Sequence, residues 1–298
     1  MTAPLVIALP GNERLASDLA AVVNGEVGQL ELREFPDGET YLRFVTSPEG
    51  RSLAIACTLA RPNDKILPLL FSAATARELG ASKVGLISPY LAYMRQDRRF
   101  KSGEAITSRQ VAKLLSDAFD WMVTVDPHLH RYSSLAEIYS IPTRVVHAAP
   151  LISEWIKHNV ADAMIVGPDS ESEQWVAAVA KDAGAPFTVL EKTRRGDRDV
   201  EIRIKDADGL KRHTPVLVDD IISTGRTMVE ATRLITARRL NAPVCIAVHG
   251  IFADKADEVL SAAGARVVTT NSVPHRTNEI DITKLLRGDV IEFTRAHT

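Results

Sequence analysis

Residues 216–228 read Val-Leu-Val-Asp-Asp-Ile-Ile-Ser-Thr-Gly-Arg-Thr-Met. Val216–Val218 have the composition of a buried strand, Asp219 and Asp220 close it, a short hydroxyl- and glycine-bearing loop follows, and Met228-Val229-Glu230-Ala231 starts a helix. This order suits a phosphorylated sugar. The loop N–H groups and the hydroxyls of Ser223, Thr224 and Thr227 can hydrogen-bond a phosphate where the helix dipole favours an anion. Carboxylates at a strand's carboxyl end, where open α/β sheets bind ligands, can accept hydrogen bonds from ribose hydroxyls. The plainer reading is a buried strand that ends in acids before a capped helix.

The same βα alternation runs along the whole chain. Leu5–Leu9, Leu53–Cys57, Lys83–Ile87 and Trp121–Val125 read as strands, with helices at Glu13–Val23, Lys65–Leu79 and Ser108–Phe119 between them. The pattern restarts with helix Ala149–Lys157 and strand Ala163–Val166, and continues through helix Glu173–Ala183 and strand Phe187–Leu190. Beyond the opening stretch come helix Val229–Arg239, strand Val244–His249, helix Ala253–Ala263 and strand Arg266–Thr269. Alternation with near-continuous Val, Ile and Leu implies an α/β fold: two similar domains, each a mostly parallel sheet flanked by helices, at 1–147 and 148–298.

Bulk properties narrow the function. A 298-residue chain with 45% apolar and 25% charged residues is ordinary for a globular protein. A net charge of −2 argues against non-specific nucleic-acid or membrane binding, so any anion site must be local. Cys57 and Cys245 read as buried strand thiols, without a Cys-x-x-Cys motif. No basic, apolar leader opens the sequence and no apolar run approaches membrane-span length, so a cytoplasmic location is the expectation.

The opening stretch resembles the phosphoribosyl-diphosphate-binding motif of the type I phosphoribosyltransferase superfamily, and implies a phosphoribosyltransferase-like fold. Further segments resemble the ribose-phosphate diphosphokinase family. They are Arg33-Glu34-Phe35-Pro36-Asp37-Gly38-Glu39, the long run from Pro89 to Thr107, Asp126-Pro127-His128, Val166-Gly167-Pro168-Asp169, His249–Phe252 and Thr270–Pro274. That resemblance implies transfer of diphosphate from ATP to the C1 hydroxyl of ribose 5-phosphate, with Mg²⁺. By the same resemblance, Phe35, Asp37, Glu39, Arg95, Gln96 and Asp97 form the ATP site, and Asp219, Asp220, Ser223, Thr224, Gly225, Arg226 and Thr227 hold ribose 5-phosphate. His128 and Asp169 carry the metal contacts, Lys192 and Arg194 are catalytic, and a homo-oligomer of at least two copies is implied.

Each segment also has a plainer reading. Pro36-Asp37-Gly38 is a strong turn signal, and the basic run Lys192–Asp199 has the composition of a solvated loop. His128 can be a hydrogen-bonded loop histidine. His128-x-His130 suggests zinc, but no cysteine or third clustered histidine accompanies it. Two departures from the family pattern stand out. Ser170-Glu171-Ser172-Glu173-Gln174-Trp175 replaces small residues, glycines and a basic pair, and Arg226 replaces a small residue. The competing functions are a phosphoribosyltransferase on the same fold and an inactive, synthetase-associated regulatory protein.

Overall fold

The computed structural model describes residues 3–129, 131–168, 172–194, 200–204, 210–238 and 240–295, with the backbone alone for 174, 191–194 and 200–204. The chain divides into two units, 1–147 with 283–298, and 148–282.

The first unit is built on β1 (Leu5–Ala8), α1 (Glu13–Val22), β2 (Glu26–Gly28), β3 (Leu30–Glu34), β4 (Thr40–Phe44), β5 (Ser52–Ala56), α2 (Asn63–Glu78), β6 (Lys83–Ser88), α3 (Thr107–Ala118), β7 (Trp121–Val125) and β8 (Thr143–Val146). Six strands make a sheet in the order β2-β1-β5-β6-β7-β8, parallel throughout. Its central strands are buried along nearly their whole length, as the apolar runs require of a sheet covered on both faces. Leu5, Ile7, Leu53, Ile55 and Leu86 meet Leu69, Ala73, Val111 and Leu115 of α2 and α3 on one face. β3 and β4 stand apart as a two-stranded antiparallel hairpin.

The second unit carries α4 (Ala149–Asn159), β9 (Ala163–Gly167), α5 (Glu173–Ala183), β10 (Phe187–Arg194), β11 (Val200–Ile204), β12 (Thr214–Ile222), α6 (Arg226–Ala237), β13 (Val244–Gly250), α7 (Ala256–Ala262), β14 (Arg266–Thr270) and β15 (Asn278–Ile280). Its seven strands run β11-β10-β9-β12-β13-β14-β15, parallel except for the β10–β11 hairpin. Val166, Leu217, Ala247 and Val267 pack against Met228, Ile235 and Leu260 of α6 and α7. Without β11, this order repeats that of the first unit, β10 matching β2 and β12 matching β5. The expected α/β fold of two similar, mostly parallel sheets is therefore the fold observed.

The final helix, α8 (Thr283–Thr294), departs from the sequence expectation that kept 283–298 with the second half. The reason is a packing slot in the first unit. Gly85 on β6 pairs with Trp121 on β7, and a Cβ on Gly85 would lie 1.8 Å from the indole. Trp121 therefore lies flat across the sheet, and its other face stacks on Phe293 of α8 with ring centroids 5.0 Å apart. Lys83 Nζ donates to the Phe293 carbonyl at 3.0 Å, and Arg287 Nε donates to that of Val22 at 3.0 Å. Arg144 adds an ion pair to Glu292 at 3.1 Å.

This slot generates a stability prediction. Phe293→Ala should destabilise the first unit by about 3 kcal/mol, read as a lower urea midpoint in a fluorescence signal from Trp121. An unchanged midpoint would show that the helix is not held by this ring.

Candidate functional site

In the second unit, β12 runs on past its acids. Its ladder with β9 stops at Leu217–Val166, whereas its ladder with β13 continues to Ile222–Gly250. Asp219 and Asp220 thus lie inside the strand, beyond the point where one neighbour has ended, and both are half-buried. The Asp220 N–H donates to the Asp219 carboxylate at 2.9 Å. The Ile222 carbonyl accepts from the N–H groups of Ile251 and Phe252, both at 3.0 Å, which anchors the start of the loop to the next strand.

The loop is Ser223-Thr224-Gly225, and the helix begins at Arg226, two residues earlier than its apolar pattern indicates. Gly225 is its N-cap in left-handed backbone, φ 62°, and a Cβ there would sit 3.3 Å from Ile222 and Ala256 side-chain carbons. Among the described residues no side chain caps α6, so its first N–H groups keep their hydrogen-bonding capacity for a ligand. Ser223 and Thr227 are half-buried, and Thr224 and Arg226 are exposed. Arg226 stands at the first helical position, where a cation opposes the helix dipole unless an anion is present.

Behind this strand lies a network of which sequence reasoning matched His249–Phe252 and Thr270–Pro274 as motifs, without a task, and missed Asp257, His275 and Arg276. His249 on β13 shares Nδ1 with the Ser272 hydroxyl at 2.9 Å. The Ser272 and Thr270 hydroxyls both donate to the Val248 carbonyl, at 2.8 and 2.7 Å. Buried Asp257 on α7 binds Arg276, which lies beside His275, itself packed on Phe252 with ring centroids 4.6 Å apart. Burial pushes the Asp257 carboxyl up, but the bonds and charges of Arg276, the Glu258 N–H and His275 outweigh it, and its pKa lies below the ordinary value.

In the first unit, Phe35, Asp37 and Glu39 lie at the turn of the β3–β4 hairpin. The Phe35 N–H donates to the Glu39 carbonyl at 2.8 Å and the Gly38 N–H to that of Phe35 at 2.9 Å, with Gly38 at φ 90°. The turn reading and the exposure of Phe35, at 40%, hold together: the turn presents the ring. The 95–107 segment is less open than its charge suggests. Arg95 is exposed, whereas the Gln96 side chain accepts from the Thr107 hydroxyl at 3.0 Å. Asp97 is buried, and both its oxygens accept from Arg131 Nη1 at 3.1 Å. Glu104 folds back to accept from the N–H groups of Phe100 and Lys101 at 2.7 and 2.9 Å. Asp97 therefore meets protein rather than solvent, and Arg131, unmarked by any motif, is the residue that occupies it.

His128 is half-buried after β7. Two residues earlier, Asp126 turns the chain in left-handed backbone, φ 33°, and accepts from His147 Nδ1 at 2.7 Å. Asp169 and His130 lie outside the described residues. Lys192 and Arg194 were expected on a loop, yet their backbone belongs to β10, where they face Ile202 and Val200 of β11. Their side chains lie outside the described part, as does 195–199 between the strands. Cys57 and Cys245 are buried, which pushes both thiols up to about 12 and leaves them unreactive. No helix among the described residues is long and apolar enough to cross a membrane.

Residues 5–118 match the family model for the N-terminal domain of ribose phosphate pyrophosphokinase, and 134–283 match that for the phosphoribosyl transferase domain. The chain is 33% identical over 290 residues to the ribose-phosphate pyrophosphokinase of Methanothermobacter thermautotrophicus, covering 97% of this chain and 100% of that one. The chain belongs to the ribose-phosphate pyrophosphokinase family. The Saccharolobus solfataricus member is 34% identical over 284 residues, covering 93% and 95%. The crystal structure of phosphoribosylpyrophosphate synthetase from Mycobacterium smegmatis matches with a TM-score of 0.82 at 26% identity, over 97% of this chain and 98% of that one. The resemblance drawn from the motifs thus holds along nearly the whole length.

Two predictions follow the local chemistry. Gly225→Ala should cost about 1–2 kcal/mol, measured by denaturant titration, because the left-handed cap admits no side chain cheaply. The hydrogen bond to Asp126, with its charge, outweighs partial burial and raises the pKa of His147. The stability this pair contributes should be complete below the ordinary imidazole value of about 6.5 and vanish as pH rises through the higher folded value. NMR titration should show the raised pKa, and Asp126→Asn should abolish it.

Proposed function

We propose that this chain transfers the β,γ-diphosphate of ATP to the C1 hydroxyl of ribose 5-phosphate, giving phosphoribosyl diphosphate and AMP. The observation that carries this reading is the pairing of Asp219 and Asp220 with a helix start that no described side chain caps. In this reading Asp219 and Asp220 accept from the ribose hydroxyls and orient C1. Ser223, Thr224, Thr227 and the N–H groups around Gly225 hold the 5-phosphate, and Arg226 gains the anion that its position on α6 lacks. The C1 oxygen attacks the β-phosphorus, the bond from that phosphorus to the α-phosphate oxygen breaks, and the hydroxyl proton is released.

Phe35 offers a face to the base, Asp37 and Glu39 offer acceptors to its amino group or to the ribose, and Arg95 neutralises phosphate, with Gln96 and Asp97 fixing the segment that carries it. Lys192 and Arg194 stabilise charge that grows on the transferring group. No group of three or more His, Cys, Asp or Glu that could cage a metal occurs among the described residues. Mg²⁺ takes few protein ligands and fills the rest of its shell with phosphate oxygens and water. His128 and Asp169 would hold it, and it would supply neutralisation of the triphosphate. A phosphoribosyltransferase reading leaves the exposed hairpin turn and the 95–107 segment without a task. The family resemblance also supports assembly of at least two copies, which sedimentation velocity would test.

AMP should form from ATP only when ribose 5-phosphate and Mg²⁺ are both present, and AMP release without the sugar would end the proposal. Lys192→Ala should lower kcat about 10²-fold or more with little change in KM. Arg226→Ala should slightly raise thermal stability in the absence of sugar phosphate while weakening ribose 5-phosphate binding, since one cation serves opposite ends in the two states.

A further inference from the structure

We infer that Arg33 and Tyr41 are positioning residues for Phe35, the three side chains forming one platform on which the nucleotide base stacks. The inference rests on the reading above that Phe35 belongs to the nucleotide site. Arg33 lies on β3, Phe35 follows two residues later at the turn just past the end of the strand, and Tyr41 stands opposite Arg33 in the hairpin register. The Arg33 guanidinium carbon lies 4.8 Å from the Phe35 ring centre and 4.1 Å from that of Tyr41. The two rings meet edge to face at 90°, with centroids 6.0 Å apart.

Charge and exposure around this cluster favour a built device. Glu31, on the same face two residues before Arg33, is paired across the hairpin with Arg43 at 3.7 Å. Among the described residues no carboxylate forms an ion pair with Arg33, so its cation is held by the two rings. A two-stranded hairpin is marginal by itself, and an exposed phenylalanine on it would otherwise turn freely. A ring already wedged against a cation and a second aromatic loses little freedom when a base settles on it, which favours binding without touching the reacting atoms. Stacking of this kind also favours the larger purine face over a pyrimidine.

The test compares wild type with Arg33→Met, which keeps the stem and removes the charge, and with Arg33→Lys, which restores a cation. ATP affinity is measured by calorimetry, and kcat and KM by AMP formation with purine and pyrimidine triphosphates. Arg33→Met should weaken ATP binding and raise its KM about fivefold, leave kcat and the KM for ribose 5-phosphate nearly unchanged, and narrow the preference for purines. Arg33→Lys should recover most of the affinity. Tyr41→Leu, which leaves Arg33 intact, should shift ATP affinity in the same direction. Unchanged ATP affinity in Arg33→Met and Tyr41→Leu would overturn the inference, as would a loss in kcat alone or an equal loss for purines and pyrimidines. Calorimetry separates the two readings. ATP binding without AMP formation would remove the diphosphokinase reading and leave the platform standing, whereas a wild-type chain that binds no ATP would remove both.

Discussion

Parallel pairing of β12 between β9 and β13 is the constraint on which the site depends. Parallel neighbours cannot be joined by a tight turn, so each needs a helical crossover, and the crossovers bury both faces of the sheet. That burial demands the continuous apolar runs of Val216–Val218 and Val244–Val248, and the parallel pairing sends the carboxyl ends of β9, β12, β13 and β14 toward one rim. Because β9 stops at Gly167 while β12 continues to Ile222, the acid pair emerges where backbone hydrogen bonding on one side has already finished. The first unit obeys the same constraint in the same strand order, which places the segments that follow β6 and β7 at a comparable rim.

The site keeps several local features that a merely stable sheet would avoid. Two carboxylates stand side by side, a cation sits at the wrong end of a helix dipole, and a helix begins without a side-chain cap. In the first unit, taken by itself, Asp126 holds a left-handed corner that glycine would occupy more cheaply. Under the proposed function, an anion at the start of α6 would offset the Arg226 charge and satisfy the uncapped N–H groups, the pattern expected where binding rather than folding selects the residue. The supports behind them follow ordinary rules. His249, Ser272 and Thr270 satisfy one another and a strand carbonyl in a buried layer, and Asp257 is neutralised by Arg276.

How much was legible depended on the range of the interaction. Periods of apolar residues located the central strands and most helices, because burial on both faces leaves a mark in every short window. The edge elements were missed. Glu26–Gly28, Thr143–Val146, Val200–Ile204 and Asn278–Ile280 are short or half-exposed strands whose pairing comes from a neighbour rather than from their own composition. Phe35-Pro36-Asp37-Gly38-Glu39 announced a turn correctly, since Gly38 supplies a positive φ, but not the hairpin around it.

By itself the sequence determined the α/β class and the family, and nominated candidate segments for the chemistry, because those rest on periodicity and on contiguous motifs. Only the tertiary structure decided which side chains those segments are free to offer. Asp97 is taken by Arg131, 34 residues away, Phe35 is held by Arg33 and Tyr41 across a hairpin, and His147 closes on Asp126. It also decided that α8 returns to the first unit, through a ring stack made possible by one missing Cβ at Gly85. Contacts of this kind join residues distant in the chain and depend on shape as much as on polarity, so no local window of sequence contains them.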